Sequence, residues 1–132
     1  MMTQSVQLRW LVSGDIVTVF VVTIIGFLNH YGGIQDWRWL STFLPALASW
    51  YLIAPWLGVY RSDLVCQPLQ VWRPMLAALL SAPLAATLRG LWLDAAIPPI
   101  FVAVLGFTNA LGFFIWRLTW AVIMQRVSLR TG

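Results

Sequence analysis

Two charged residues interrupt the long apolar stretches of this sequence and could do chemistry inside a membrane. Asp15 lies near the start of the first apolar run, and Arg117 lies near the end of the last one. Charges within membrane spans are costly and mark ion pairs, proton relays or wet cavities. With about 1.5 Å of rise per helical residue, both lie roughly 7–10 Å from the same side of the membrane. They could form an intramembrane ion pair, or each could reach the headgroups separately.

Other polar side chains accompany these charges at helical spacing. Thr18 follows Asp15 by about one turn, and Asn109 and Trp116 share a face with Arg117. A polar face of this kind could line a proton or ion path. It could also join helices through hydrogen bonds, which is the commoner role of polar residues between membrane helices. The pattern predicts a polar packing face that turns inward or toward a partner.

A third apolar run carries small residues on one helical face, which lets helix backbones approach closely. The face consists of Ala78, Ser81, Ala82, Ala85, Ala86 and Gly90. Arg89 lies on the same face, near the end of the run. It could reach the headgroups, pair with Asp94 or face an outward vestibule.

The residue inventory excludes several kinds of site. The sequence has one histidine, one cysteine and four acidic residues. A His-rich metal site within one chain is therefore excluded, and Cys66 has no partner for an internal disulfide. No serine–histidine–acid set and no glycine-rich phosphate loop is visible. We predict no catalytic residue, no metal and no enzymatic activity; lipid or pigment is an open cofactor, with His30 as the candidate pigment ligand.

The composition indicates a membrane protein. Of 132 residues, 61% are hydrophobic and 9% are charged, against about 25% charged residues in ordinary soluble domains. Uncharged runs cover 16–35, 39–60, 74–88 and 95–116, and a spanning helix needs about 20 mostly apolar residues. We predict an all-α, polytopic protein: a single domain, 1–132, whose small bundle has four transmembrane helices at about 10–28, 39–60, 74–93 and 99–124.

The basic residues predict the orientation. One side of the predicted bundle carries Arg9, Arg61, Arg73, Arg126 and Arg130, and the other carries Arg38 and Arg89. Because cytoplasmic loops are enriched in basic residues, both termini are expected in the cytoplasm and the protein in the inner membrane. The net charge is +4, but the arginines are spread singly, so no nucleic-acid partner is expected.

Most of the nine tryptophans lie near predicted helix ends: Trp10, Trp37, Trp39, Trp56, Trp72, Trp92 and Trp120. Indole rings favour the headgroup level, where one edge is wet and the other dry. An aromatic belt explains this distribution, and a pigment or quinone lining is the alternative.

Nearly the whole chain resembles a family of small four-span membrane proteins from bacteria and archaea, known only as a domain of unknown function. The features that carry the resemblance are Asp15, Gly26, His30, Pro45, Arg73, Pro74, Pro83, Arg89, Phe101, Val102, Trp116 and Arg117. The resemblance implies a four-helix membrane protein and carries no activity with it.

Two functions are compatible with this pattern. The first is an accessory or structural subunit of a larger membrane complex, such as a photosynthetic or respiratory one, in contact with lipid or pigment. Its partners would be lipid and other membrane subunits, or further copies of the chain. The alternative is a small oligomeric transporter or channel that uses Asp15, Asn109, Arg117 and Arg89.

Overall fold

The computed structural model describes residues 2–34 and 36–132. Within them the chain forms four long helices: α1 (Gln4–Tyr31), α2 (Leu40–Ile53), α3 (Trp72–Leu93) and α4 (Pro99–Thr131). With its flanking 3₁₀ turns, each lies in a segment long and apolar enough to cross a membrane. The prediction of an all-α, four-span membrane protein is confirmed.

Local signals in the sequence explain where the helices begin and end. Thr3 caps α1 by accepting a hydrogen bond from the Val6 amide, and Pro99 opens α4 where no amide donor is needed. Helix α1 ends at Gly32, whose φ of 71° lies in the left-handed region that glycine tolerates. Helix α3 ends at Asp94, also left-handed, with a φ of 49°.

The first and last helices extend beyond their predicted spans of 10–28 and 99–124. Helices α1 and α4 contain 28 and 33 residues. At about 1.5 Å per residue they are roughly 42 and 50 Å long, whereas the hydrocarbon core is about 30 Å thick. The added turns are more polar and contain neither proline nor glycine, so the helices continue into the headgroup region.

The second span, predicted as one helix over 39–60, is divided. Helix α2 ends at Ile53, a 3₁₀ turn follows at Ala54–Leu57, and the chain turns at Gly58, with a φ of 71°. Pro55 explains the early end, because proline lacks an amide donor and its ring crowds the carbonyl four residues earlier. The prediction that this helix reaches Tyr60 is therefore wrong, and Tyr60 lies in the following loop.

The four helices form a bundle in which helices that are consecutive in the sequence pack against each other. Helix α3 packs extensively on both α2 and α4, while α1 contacts α4 and α2. The small-residue face of α3 faces the interior, where Ala77 and Ala78 are almost fully buried. A methyl group added at Gly106 of α4 would lie 3.2 Å from Ala82 Cβ, so these two backbones approach closely. In the bundle core, Trp50 of α2 stacks on Phe113 of α4, with 3.7 Å between the two ring centroids.

The two ends of the bundle differ in charge. One end holds the start of α1, the loop 58–71 and the end of α4, joined by a cluster of Leu11, Val65 and Trp120. We call it the basic end, because it carries Arg9, Arg61, Arg73, Arg126 and Arg130. The opposite end holds residues 32–34 and 36–39 and the link 94–98.

Candidate functional site

The candidate site is a buried cluster around Asp15, toward the basic end. The Asp15 side chain has no exposed surface, although it lies on α1, many of whose residues face outward. The preceding residue, Gly14, makes this possible. A Cβ atom at Gly14 would overlap the indole ring of Trp116, so only glycine lets α4 approach α1 at this level.

Arg117 of α4 neutralises Asp15 through two hydrogen bonds. Its Nη2 lies 2.8 Å from Asp15 Oδ2, and its Nε lies 3.1 Å from Asp15 Oδ1. Its Nη1 donates to the Val59 carbonyl at 3.1 Å, and the guanidinium lies 5.1 Å from the ring centroid of Tyr60. The paired arrangement matches the planar fork of arginine to the carboxylate.

Aromatic donors occupy the remaining positions around the carboxylate. Trp116 Nε1 donates to Asp15 Oδ1 at 3.1 Å, and Trp50 Nε1 lies 3.3 Å from Asp15 Oδ2. The Tyr60 hydroxyl also donates to Oδ2, and it lies 2.9 Å from Trp50 Nε1. A carboxylate offers about four lone-pair positions, so Asp15 has its acceptor capacity filled by α2, α4 and the loop after α2.

This saturation limits what the cluster can do chemically. Burying an ion pair is costly unless geometry and additional hydrogen bonds compensate both charges, and here every part of the carboxylate is compensated. A general base or metal ligand needs a free lone pair that faces a reactant. Asp15 has none, and the described residues contain no group of three acidic, histidine or cysteine side chains that could hold a metal ion. The arrangement instead fastens α1 to α2 and α4.

The other polar residues of the predicted face, Thr18 and Asn109, make their hydrogen bonds outside the Asp15 cluster. Thr18 donates to the Gly14 carbonyl at 2.7 Å, within its own helix. Asn109 is buried, and its Nδ2 donates to the Leu105 carbonyl at 2.9 Å. Thus the structure brings Asp15, Trp116 and Arg117 into one cluster and leaves Thr18 and Asn109 bonded to their own helices.

Arg89 and His30 lie toward the opposite end of the bundle. Arg89 is buried, with its guanidinium 4.8 Å from the ring centroid of Phe101 and 5.9 Å from that of Phe27. His30 is exposed near the end of α1. Asp94, the proposed partner of Arg89, is exposed, and the ion pairs within the described ranges are Asp15–Arg117 and Arg61–Asp63.

A large cavity of about 980 Å³ lies between α1 and α4 and reaches both Arg89 and His30. Apolar side chains line most of it, and Trp116 lines it as well. Many of the lining side chains, such as Val17, Ile100 and Ile115, are exposed on the outside of the bundle. The cavity therefore opens toward the lipid, while its inner wall includes buried side chains such as Thr23, Thr42 and Leu105.

The comparison with protein families identifies the chain. The family described as "Protein of unknown function (DUF3054)" matches residues 12–120. The chain belongs to this family. The match runs from α1 into α4 and so includes the whole Asp15 cluster as well as Arg89. No curated protein and no solved structure matches the chain.

The prediction from sequence missed three members of the cluster: Trp50, Tyr60 and the Val59 carbonyl. A signal for Trp50 was present, because it lies well inside the second apolar run, whereas most of the tryptophans lie near helix ends. An indole N–H far from the headgroups needs a buried acceptor. Asp15 is the acidic residue within a span, so the pairing could have been inferred. Tyr60 gave no such signal, because its position depends on the early end of α2.

Proposed function

We propose that this multi-pass membrane protein is a non-enzymatic structural subunit of a larger membrane complex. The observation that carries the proposal is the saturated Asp15 cluster. Among the described residues, the buried ion pair of Asp15 and Arg117 fastens α1 to the other helices, and no lone pair of that carboxylate is left for a substrate. A chain whose buried ion pair serves internal attachment is suited to presenting a rigid outer surface to neighbours.

The closed interior also supports a structural role. Trp50 and Phe113 fill the centre of the bundle, and each is 1% exposed. The cavity between α1 and α4 opens to the outer surface of the bundle, where a lipid or a neighbouring subunit can reach it. Small loops leave most of the outer surface to apolar helix faces, which supports lipid and other membrane subunits as the partners.

The alternative is a small oligomeric transporter or channel that uses Asp15, Asn109, Arg117 and Arg89. The first three side chains are buried within a single chain. Arg89 lies toward the opposite end, among Phe27 and Phe101. These positions do not form one continuous row, so they favour the structural role over a path within one chain.

We place the basic end, with both termini, in the cytoplasm, and the protein in the inner membrane. The described arginines support this orientation, since Arg9, Arg61, Arg73, Arg126 and Arg130 gather at the basic end. Anionic headgroups on the cytoplasmic side attract basic side chains near the membrane surface.

Extraction from the native membrane tests the proposal. The chain, tagged at its C-terminus, is extracted in a mild detergent, with and without prior chemical crosslinking, and run on a native gel. Mass spectrometry and an absorption spectrum then identify the proteins and any pigment in the band. We expect a band far larger than the 14.9 kDa chain, containing other membrane subunits. A monomer under all extraction conditions would overturn the proposal, and a pure homo-oligomer would direct attention to transport assays with Asp15→Asn.

A further inference from the structure

The cavity between α1 and α4 widens away from the Asp15 cluster. Near the cluster the helices touch: a methyl group added at Gly112 would lie 2.9 Å from Val22 Cγ2 and 3.1 Å from Thr18 Cγ2. At Gly26, two turns along α1 from Thr18, an added methyl group meets nothing within 4 Å. The volume of about 980 Å³ is at the upper end of the range of roughly 300–1,000 Å³ typical of ligand pockets.

The titratable side chains of the described residues that line the cavity are basic, and the formal charge among them is that of Arg89. Arg89 and His30 line the cavity, and none of its lining residues is acidic. Arg89 lies four residues before the end of α3, so its Cα is roughly 6 Å from that helix end at about 1.5 Å per residue. Its depth is therefore close to the headgroup level, and its guanidinium is directed among aromatic rings at the wide end of the cavity. An arginine fork at this depth suits a phosphate group.

Unsatisfied hydroxyl groups provide a second, independent indication of a ligand. Among the threonines that line the cavity, Thr18, Thr108 and Thr119 donate to the carbonyl four residues earlier in their helices. Thr23 and Thr42 are 4% and 5% exposed, and their hydroxyls have no hydrogen-bond partner among the described residues. Buried hydroxyls without partners are unfavourable, so an oxygen-rich ligand at this end would stabilise them.

We propose that the cavity is a binding site for one anionic phospholipid. An acyl chain lies along the apolar part between α1 and α4, and the phosphate lies toward Arg89 at the wide end. The lining runs along α1 from Val17 to His30, roughly 20 Å at about 1.5 Å per residue, which fits a hydrocarbon chain. The basic lining without any acid selects a negative headgroup over a zwitterionic one. The site is independent of the proposed subunit role, because it concerns the surface of a single chain.

Two variants separate the phosphate contact from the chain contact. Arg89→Gln removes the charge at the wide end. Gly26→Phe places a ring in the open space of the cavity, where no protein atom lies within 4 Å of the new Cβ, and it removes a helix-interior glycine, so the fold should tolerate it. The matched control is Arg126→Gln, which removes an exposed arginine at the basic end, outside the cavity.

Native mass spectrometry measures the binding. Each protein is purified in mild detergent, and its retention of phosphatidylglycerol is compared with that of phosphatidylcholine with identical chains. We expect the wild type to retain one phosphatidylglycerol with about a tenfold preference, because both lipids offer a phosphate but only phosphatidylcholine brings a cationic choline near the Arg89 guanidinium. Arg89→Gln should lose the preference, Gly26→Phe should lose both lipids, and Arg126→Gln should match the wild type.

Several outcomes would overturn the proposal. The first is equal retention of the two lipids by the wild type. The second is a preference for phosphatidylglycerol that Arg126→Gln abolishes and Arg89→Gln keeps. The third is a cavity that a second copy or another protein occupies. Thermal unfolding of each variant is measured alongside. If Arg89→Gln fails to fold, retention of both lipids by a folded Gly26→Phe protein would still refute the site.

Discussion

Asp15 and Arg117 are 102 positions apart in the sequence, yet the arginine donates two hydrogen bonds, of 3.1 and 2.8 Å, to the aspartate. The pair joins the first helix to the last. Tryptophan and tyrosine side chains complete the shell around the carboxylate, so that both charges are compensated in the low-dielectric interior. These two buried charges therefore stabilise the fold and are not available to a substrate.

The indole of Trp50 should stabilise the fold through its N–H as well as through its ring. Trp50→Phe keeps an aromatic ring that can stack on Phe113 but removes the donor to Asp15 and Tyr60. We expect a loss of about 1–3 kcal/mol in the free energy of unfolding, the usual cost when a buried polar group loses its partner. The measurement is equilibrium unfolding in mixed micelles. Trp56→Phe, at a side chain that is 89% exposed, is the control; equal effects of the two changes would contradict the role of the Trp50 donor.

Gly14 and Gly26 lie on the same helix and should respond oppositely to alanine. A Cβ at Gly14 would overlap the Trp116 ring, so Gly14→Ala must push α1 from α4 and disturb the bond from Trp116 to Asp15. A Cβ at Gly26 meets open space, and alanine is favoured over glycine in a helix by about 1 kcal/mol. We expect Gly14→Ala to lower the unfolding temperature and Gly26→Ala to keep or raise it. An unchanged unfolding temperature in Gly14→Ala would show that α1 and α4 are not in close contact there.

The sequence alone predicted the parts of the structure that depend on local composition. Four apolar runs predicted four helices, and small residues predicted the face of α3 that packs inward. The matching depths of Asp15 and Arg117 also suggested that they could meet, because depth in a membrane restricts the partners available to each residue. These inferences required only the rise of a helix and the cost of a charge in lipid.

The remaining features depend on tertiary geometry. The predicted end of the second helix at Tyr60 allowed for no break at Pro55. The loop that brings Tyr60 to Asp15 was therefore not predicted either. The cavity arises because α1 and α4 diverge beyond Gly112, and no local pattern determines the angle between two helices.

Chemical labelling of the single cysteine, Cys66, tests the orientation of the protein in the membrane. Cys66 lies in the loop at the basic end, which we place in the cytoplasm. A membrane-impermeant maleimide should label it only after intact cells are permeabilised. As the matched control, Ala96→Cys in a Cys66→Ser background places a thiol on the exposed link at the opposite end, and it should be labelled in intact cells. The reverse pattern would invert the topology.

The rate of that labelling should depend on pH in a specific way. Burial raises the pKa of the Cys66 thiol. Because the thiolate is the reactive form, a raised pKa lowers its fraction at neutral pH, and the rate should increase only at higher pH. Ser62→Cys in the Cys66→Ser background is an exposed control in the same loop. A Cys66 that reacts as fast as this control at neutral pH would contradict its partly buried position.

The most direct test of the central claim is a double-mutant cycle on Asp15 and Arg117. Asp15→Asn, Arg117→Gln and the double variant are compared with the wild type by their free energies of unfolding in mixed micelles. Each single change should cost about 3–5 kcal/mol, because it leaves the other charge buried without its partner. The double variant should cost clearly less than the sum of the two. The exposed pair Arg61–Asp63, whose side chains are 63% and 58% exposed, should show little coupling in the same assay. Additive losses at Asp15 and Arg117 would contradict the account, because the two residues would then not stabilise the bundle as a pair.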